Sequence, residues 1–402
     1  MLRVNEKKGT LQRRVRGAAD VVDATSIEIP PTPPPPSVVS HCTNPMVRPP
    51  VASSQVIFTG IQPTGSLHLG NYFGAIRPWA RQSAALPKSG TSILALVDCH
   101  AITTLKEPAD VNLLAACIHT VKEREAERLG VCASDQGEVR VYRQSALLTV
   151  HASIMWLLTA RCGRIGDLSR QTQWKSKRGT GDPESGSTGL FTYPLLQAAD
   201  IAVFQPTHVP VGEDQAQHLE LSRRLFTSWN RQYATDEFSI RIPQMVLPPA
   251  DSFSGRIMSL SNPTAKMSKS DPDPSSVIQV LDEPSVIATK VKRAVTDSTR
   301  EVTYDPDERP GLANLLRMLA VLTDSTPEEA ARAHGASGAS GIKAALTDAL
   351  VAELTPVRLS VLERMQDEQA VADRLADDAA ALQARAQHTY HQMATSAGLA
   401  PL

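Results

Sequence analysis

Residues 92–98 read Ser-Ile-Leu-Ala-Leu-Val-Asp, and no other stretch limits the fold so tightly. The run is apolar without alternation, so neither face of the segment can be wet. Strands of that kind belong to parallel sheets covered by helices on both sides. Two further segments fit beside it: Gln55-Val56-Ile57-Phe58, which ends in Thr59-Gly60, and Val139-Arg140-Val141-Tyr142. Between them Leu113, Leu114, Cys117, Val121 and Leu129 are spaced for one face of a helix. Strands alternating with helices predict a doubly wound α/β domain, whose ligands bind beyond the carboxyl ends of its strands.

The domain has flanks of different character. Residues 1–54 are rich in Pro, Ser and charge and lack apolar periodicity, the pattern of a disordered tail. The α/β pattern occupies 55–280 and contains a polar Gly/Ser loop at 178–188, expected to be mobile. From 281 to 402 the signals are helical. Leu312, Leu315, Leu316 and Leu319 form one stripe, and Ile342, Ala345, Leu346, Ala349 and Leu350 another. Thr326-Pro327-Glu328-Glu329 is a helix start, and Thr355-Pro356 is read as the opening of a long final helix. None of the five cysteines forms a C-x-x-C pair, so no zinc or iron–sulfur site is expected.

Gln62-Pro63-Thr64-Gly65-Ser66-Leu67-His68-Leu69-Gly70-Asn71 lies between the first strand and a helix-like stretch. Glycine lets backbone approach a flat or charged ligand. A helix amino end offers unpaired N–H groups to phosphate. His68 can donate to phosphate oxygens, and Asn71 can hold a ribose or ring group. Gly-Lys-Ser/Thr is absent, so this is not a Walker loop. Far downstream, Lys266-Met267-Ser268-Lys269-Ser270 puts two lysines and two hydroxyls on one short loop, suited to closing over a polyphosphate. Taken alone, each pattern reads as an ordinary turn.

Together and in this order, the two motifs resemble the HIGH and KMSKS signatures of class I aminoacyl-tRNA synthetases, and the resemblance covers roughly residues 55–395. Phe58 to Gly65, Val97 to Thr103, Leu190 to Asp200, Pro210 to Gln215, and Lys290 to Asp297 with Val302 to Asp305 look like the tryptophanyl members. The resemblance implies a Rossmann-like catalytic domain and an all-helical C-terminal domain that reads the anticodon. It implies ATP as substrate with Mg²⁺ carried on it, no protein-held metal, activation of L-tryptophan to the adenylate, and transfer to tRNA(Trp) by a homodimer. By the same resemblance His68, Lys266 and Lys269 act on the transferring phosphate. Gln62, Thr64, Gly70, Asn71, Gly212, Glu213, Asp214, Ile257, Met267, Ser268 and Ser270 contact ATP with them. Phe58, His100, Gln173, Tyr193, Gln197, Asp200 and Gln215 line the tryptophan pocket, and Asp200 accepts the indole N–H. A buried acceptor rejects analogues without that N–H, because it would be left unpaired.

Tyr193, Gln197 and Asp200 also fit the Tyr-x-x-x-Gln-x-x-Asp spacing of tyrosyl members, so tyrosine is the runner-up substrate. An inactive paralogue that binds tRNA or a protein partner is a third reading, disfavoured by the intact phosphate loops. The net charge is -1, and residues 281–402 hold 12 Lys plus Arg against 18 Asp plus Glu, so RNA must be met by local patches. Candidates are Arg161, Arg164, Arg170, Lys175, Lys177 and Arg178, or Arg223, Arg224 and Arg231. Neither DNA nor a membrane is an expected partner. Arg3, Lys7, Lys8, Arg13, Arg14 and Arg16 precede a proline run and favour a mitochondrial presequence, although Glu6, Asp20, Asp23 and Glu28 weaken it. Without a presequence the expected compartment is the cytoplasm.

Overall fold

A computed structural model of the protein describes residues 54–103, 110–177, 187–247, 257–268 and 271–399. The expected tail and most of the polar loop, residues 178–186, lie outside the described residues. Five parallel strands form one sheet: β1 (Val56–Ile61), β2 (Thr91–Leu96), β3 (Glu138–Arg143), β4 (His208–Pro210) and β5 (Gln244–Val246), in the order β3-β2-β1-β4-β5. β1 and β2 run in register from Val56 opposite Thr91 to Ile61 opposite Leu96. The chain steps from β1 to β2 on one side and reaches β4 on the other. This reversal opens a crevice at the carboxyl ends of β1 and β4.

Helices connect and cover the strands. After β1 come α1 (Leu69–Asn71), a π-helical turn (Tyr72–Ile76) and α2 (Arg77–Ala84). After β2 come α3 (Asp98–Ala101) and α4 (Val111–Arg128). Between β3 and β4 lie α5 (Leu148–Arg161), α6 (Ile165–Ser169), α7 (Thr172–Lys177) and α8 (Thr188–Phe204), and α9 (Ala216–Tyr233) precedes β5. The remainder is α10 (Pro284–Arg293), α11 (Pro310–Leu322), α12 (Pro327–Ala333), α13 (Gly338–Arg364) and α14 (Glu368–Ser396). No helix among the described residues is long and apolar enough to cross a membrane.

The unbroken apolar run of β2 is explained by the two cores it separates. Ile93 and Ala95 join Phe58, Tyr142, Ile154, Phe204 and Phe226 on one face. Leu94 and Leu96 join Phe73, Ile118, Ile287, Leu316 and Leu346 on the other. Successive side chains of a strand point to opposite faces, so both sets must be apolar. The second core continues into α10–α13 without a break. Truncating Leu94 to Ala would cost about 2–5 kcal/mol.

Several expectations need correction. β1 extends through Ile61, past Thr59-Gly60, because its whole length pairs with β2. β4 and β5 span three residues each and leave no apolar run to read. Leu129 is exposed, because α4 ends at Arg128. Thr355-Pro356 does not open a helix but lies inside α13. Ile342, Leu346, Leu350, Leu354, Val357 and Val361 form one fully buried stripe through the proline, and that packing outweighs the lost backbone hydrogen bond. α12 starts as expected: Thr326 accepts from the Glu329 N–H, and the Glu329 carboxylate accepts from the Thr326 N–H. α14 returns to the edge strand, where Asp378 accepts the Val141 N–H at 2.9 Å and pairs with Arg140 at 3.0 Å. This covers an edge that would otherwise be open to foreign strands.

Candidate active site

Among the described residues the predicted site residues follow β1, β2, β4 and β5 in the chain or lie on α7 and α8, except Phe58, which lies within β1. The 62–71 loop leaves β1 and turns at Gly65, whose φ of 57° suits glycine. His68 then caps α1: its Nδ1 accepts the Gly70 N–H at 3.1 Å, and its carbonyl accepts the Tyr72 N–H at 3.0 Å. With Nδ1 an acceptor, the proton of a neutral ring sits on Nε2. Gly70 has no room for a side chain, because a Cβ there would lie 2.9 Å from the His68 ring.

The carbonyl oxygen of Met267 lies 3.9 Å from the same point, so the two distant motifs meet. Backbone holds them together. Leu69 N–H donates to the Ile278 carbonyl at 3.0 Å, and Val280 N–H donates to the Leu67 carbonyl at 2.8 Å. Met267 N–H donates to the Ile257 carbonyl at 3.0 Å. The side chains of Met267 and Ile257 are 2% and 1% exposed and belong to the core. Their expected role toward a nucleotide therefore narrows to backbone. Lys266 is exposed and Ser268 half-buried, while Lys269 and Ser270 lie outside the described residues. Gly212, Glu213 and Asp214 follow β4 across the crevice, and Gln215 donates to Asp214 at 2.9 Å.

The second half of the site is built on α8, capped by Ser187, which accepts the Leu190 N–H at 3.1 Å. Tyr193, Gln197 and Asp200 follow one face at i, i+4 and i+7. Asp200 is buried, and its two oxygens meet three side chains. His100 Nε2 lies 2.8 Å from Oδ2, Gln144 Nε2 donates to Oδ1 at 2.8 Å, and His151 Nδ1 is 2.8 Å from Oδ1. Burial alone would raise the carboxyl's pKa, but hydrogen bonding to His100 and His151 overrides it and holds the group well below the ordinary range. The expectation that the carboxylate is unpaired without its ligand is thus corrected: it is already largely satisfied.

The Tyr193 hydroxyl lies 3.0 Å from Gln173 Oε1 and 2.8 Å from His218 Nε2, and His218 Nδ1 is 3.1 Å from Gln215 Oε1. Burial and the nearby Asp214 push the phenol up to about 12. Tyr193 also meets His100 edge to face, with centroids 6.1 Å apart. Tyr193, Gln173, Gln215, His100 and Asp200 thus form one continuous cluster. Phe58 is buried core, stacked on Phe204 at 5.8 Å. Sequence reasoning missed Tyr142, Gln144, His151 and His218. Gln144 directly follows β3 and was open to discovery by the strand-end rule. The two histidines sit on helices and carry no local signal.

Arginines from separate parts of the chain meet between α6 and α9. Arg164, Arg170, Arg224 and Arg231 line an open cleft of about 560 Å³ with one acid, Asp167. Arg161 and Arg223 are engaged elsewhere, over the Tyr233 ring and beside Glu220. The side chain of Lys177 and all of Arg178 lie outside the described residues. Thr172, two residues after Arg170, bonds through its N–H to Gln217 at 3.0 Å. This ties the cleft wall to the start of α9, beside the Tyr193 cluster.

Residues 52–354 match the family of class I tRNA synthetases for W and Y. A tryptophan–tRNA ligase from Clostridium perfringens is 37% identical over 351 residues, covering 86% of this chain and 98% of its own. The crystal structure of tryptophanyl-tRNA synthetase from Mycoplasma pneumoniae is 30% identical, with a TM-score of 0.70 over 86% of this chain and 98% of that one. The Campylobacter jejuni tryptophanyl-tRNA synthetase, solved with ADP and tryptophan, is 24% identical and shares the fold, with a TM-score of 0.65 over 86% of this chain and 100% of that one.

Proposed function

The chain belongs to the class I aminoacyl-tRNA synthetases for tryptophan and tyrosine, and from that premise we propose that it joins L-tryptophan to tRNA(Trp) at the expense of ATP. The observation that carries the mechanism is the meeting of the His68–Gly70 turn with the Met267 backbone, one strand end away from the Asp200 cluster. The tryptophan carboxylate attacks the α-phosphorus of ATP in line, pyrophosphate leaves, and the adenylate stays bound. The ribose hydroxyl at the tRNA 3′ end then displaces AMP. Positioning and electrostatics suffice for both steps.

His68 donates from Nε2 to the α-phosphate as charge develops. Lys266 and Lys269 close over the departing pyrophosphate. Gln62, Thr64, Asn71, Gly212, Glu213 and Asp214 hold the nucleotide, and Asp200 receives the indole N–H. A magnesium ion on the phosphates supplies further charge neutralisation.

Pyrophosphate exchange is the test. Tryptophan should support it and tyrosine should not; faster exchange with tyrosine would transfer the reading to the runner-up. Lys266→Ala should slow exchange about 100-fold with tryptophan affinity unchanged.

The arginine cleft supports footing for the tRNA backbone there, with residues 281–402 reaching the anticodon. Substituting Arg164 and Arg231 together by Ala should raise the KM for tRNA and flatten its salt dependence. Exposed Trp156 and Ile165, at 69% and 77%, support a homodimer. Trp156→Glu should then give a monomer in sedimentation. The basic segment ahead of residue 52, where the family match begins, supports import into the mitochondrial matrix. A tagged full chain seen in the cytoplasm would rule that out.

A further inference from the structure

Two side chains, Gln144 and His151, meet one oxygen of Asp200, and Tyr142 stands behind His151. Gln144 Oε1 accepts the Cys99 N–H at 3.2 Å, so its amide nitrogen must be the end facing Asp200. Flipping the amide would set oxygen against oxygen. Tyr142 and His151 are both fully buried, with the hydroxyl 3.1 Å from His151 Nε2. Burial and the negative charge of Asp200 keep the phenol protonated, and its hydroxyl shares a hydrogen bond with Nε2. His151 Nδ1 lies 2.8 Å from Asp200 Oδ1, in close contact but off the line of a hydrogen bond.

A carboxylate has about four acceptor positions. Oδ1 meets Gln144 and His151, whereas Oδ2 meets only His100 among the described residues. We propose that Gln144 and His151, with Tyr142 behind it, are positioning residues that determine substrate specificity: Gln144 donates to Oδ1, His151 closes against it, and the remaining acceptor lobe of Asp200 on Oδ2 is left for the ring N–H of the substrate. The contacts with Gln144 and His151 lock the rotation of the carboxylate. The inference rests on the reading of Asp200 as the indole acceptor.

The experiment compares tryptophan with its benzothiophene isostere, which has sulfur in place of the ring N–H, by pyrophosphate exchange on the full chain. The unaltered protein should prefer tryptophan strongly. His151→Leu should reduce that preference about tenfold through the tryptophan KM, with the KM for ATP and the isostere unchanged. His151→Asn, which returns an N–H near the position of Nδ1, should recover most of it. Tyr142→Phe, which keeps core volume, should give a smaller reduction, about threefold, and serves alone if His151→Leu does not fold. No preference in the unaltered protein would refute the Asp200 contact itself. A preference kept in full by every variant that folds, or lost together with the ATP KM and not restored by Asn, would overturn the positioning role alone.

Discussion

Asp200 and Glu353 are both buried carboxylates, yet their neighbours differ in kind. Asp200 is met by two imidazoles and an amide. Glu353 on α13 is met by the Arg128 guanidinium and the Tyr72 hydroxyl, and Arg128 also reaches Glu125, which binds Arg77 at 3.1 Å and Arg81 at 2.7 Å. Burial would raise both carboxyls, and hydrogen bonds lower both. The arginine cluster neutralises its acids and joins α2, α4 and α13. The Asp200 cluster holds its acid through shorter, planar groups that come from α3, α5 and the end of β3. The carboxylate that ties helices together is given guanidinium counter-ions, whereas Asp200 is given imidazoles and an amide.

This contrast can be broken by measurement. The largest effect should follow Glu125→Ala, which removes a buried carboxylate shared by Arg77, Arg81 and Arg128 and should cost about 3–5 kcal/mol in urea unfolding. The KM for tryptophan should hardly move; a loss under about 1 kcal/mol would remove the structural role of the cluster. Asp200→Asn should lower kcat/KM for tryptophan about 100-fold, near 2.7 kcal/mol, with a smaller stability loss than Glu125→Ala. The reverse order would make the two clusters equivalent.

His119 sharpens the comparison as a buried group with neither arrangement. Among the described residues neither ring nitrogen has a hydrogen-bond partner, and burial, then the positive charges of Arg374, Lys122 and Arg364, lowers its pKa to about 3. The unfolded ring takes up a proton near pH 6.5, and the folded one resists. Stability should therefore fall by about 2 kcal/mol as pH drops from 7 to 5, and His119→Leu should flatten that slope. The smallest effect is the control in neither cluster. Thr326→Ala, which removes only a helix cap, should cost about 1 kcal/mol by thermal unfolding and leave exchange unchanged.

The parts legible in advance were those governed by local pattern. The buried run of β2 announced a sheet covered on both faces, and Thr326 to Glu329 announced a helix start. The two phosphate motifs were readable because their residues are contiguous. What escaped depends on distance in the chain. Gln144, His151 and Asp200 meet only after β3, α5 and α8 are packed. The polar role of His151 is invisible on a helix whose other buried residues are apolar. Pro356 misled because its local preference was outweighed by a buried stripe that continues on both sides of it.

The hydroxyl contact between Tyr72 and Glu353, at 2.5 Å, joins the loop that carries His68 to a helix of 27 residues, about 40 Å long. Tyr72 N–H also donates to the His68 carbonyl. Two successive hydrogen bonds thus tie the middle of α13 to the turn that carries His68, so the seating of that helix and the placement of the turn are set together.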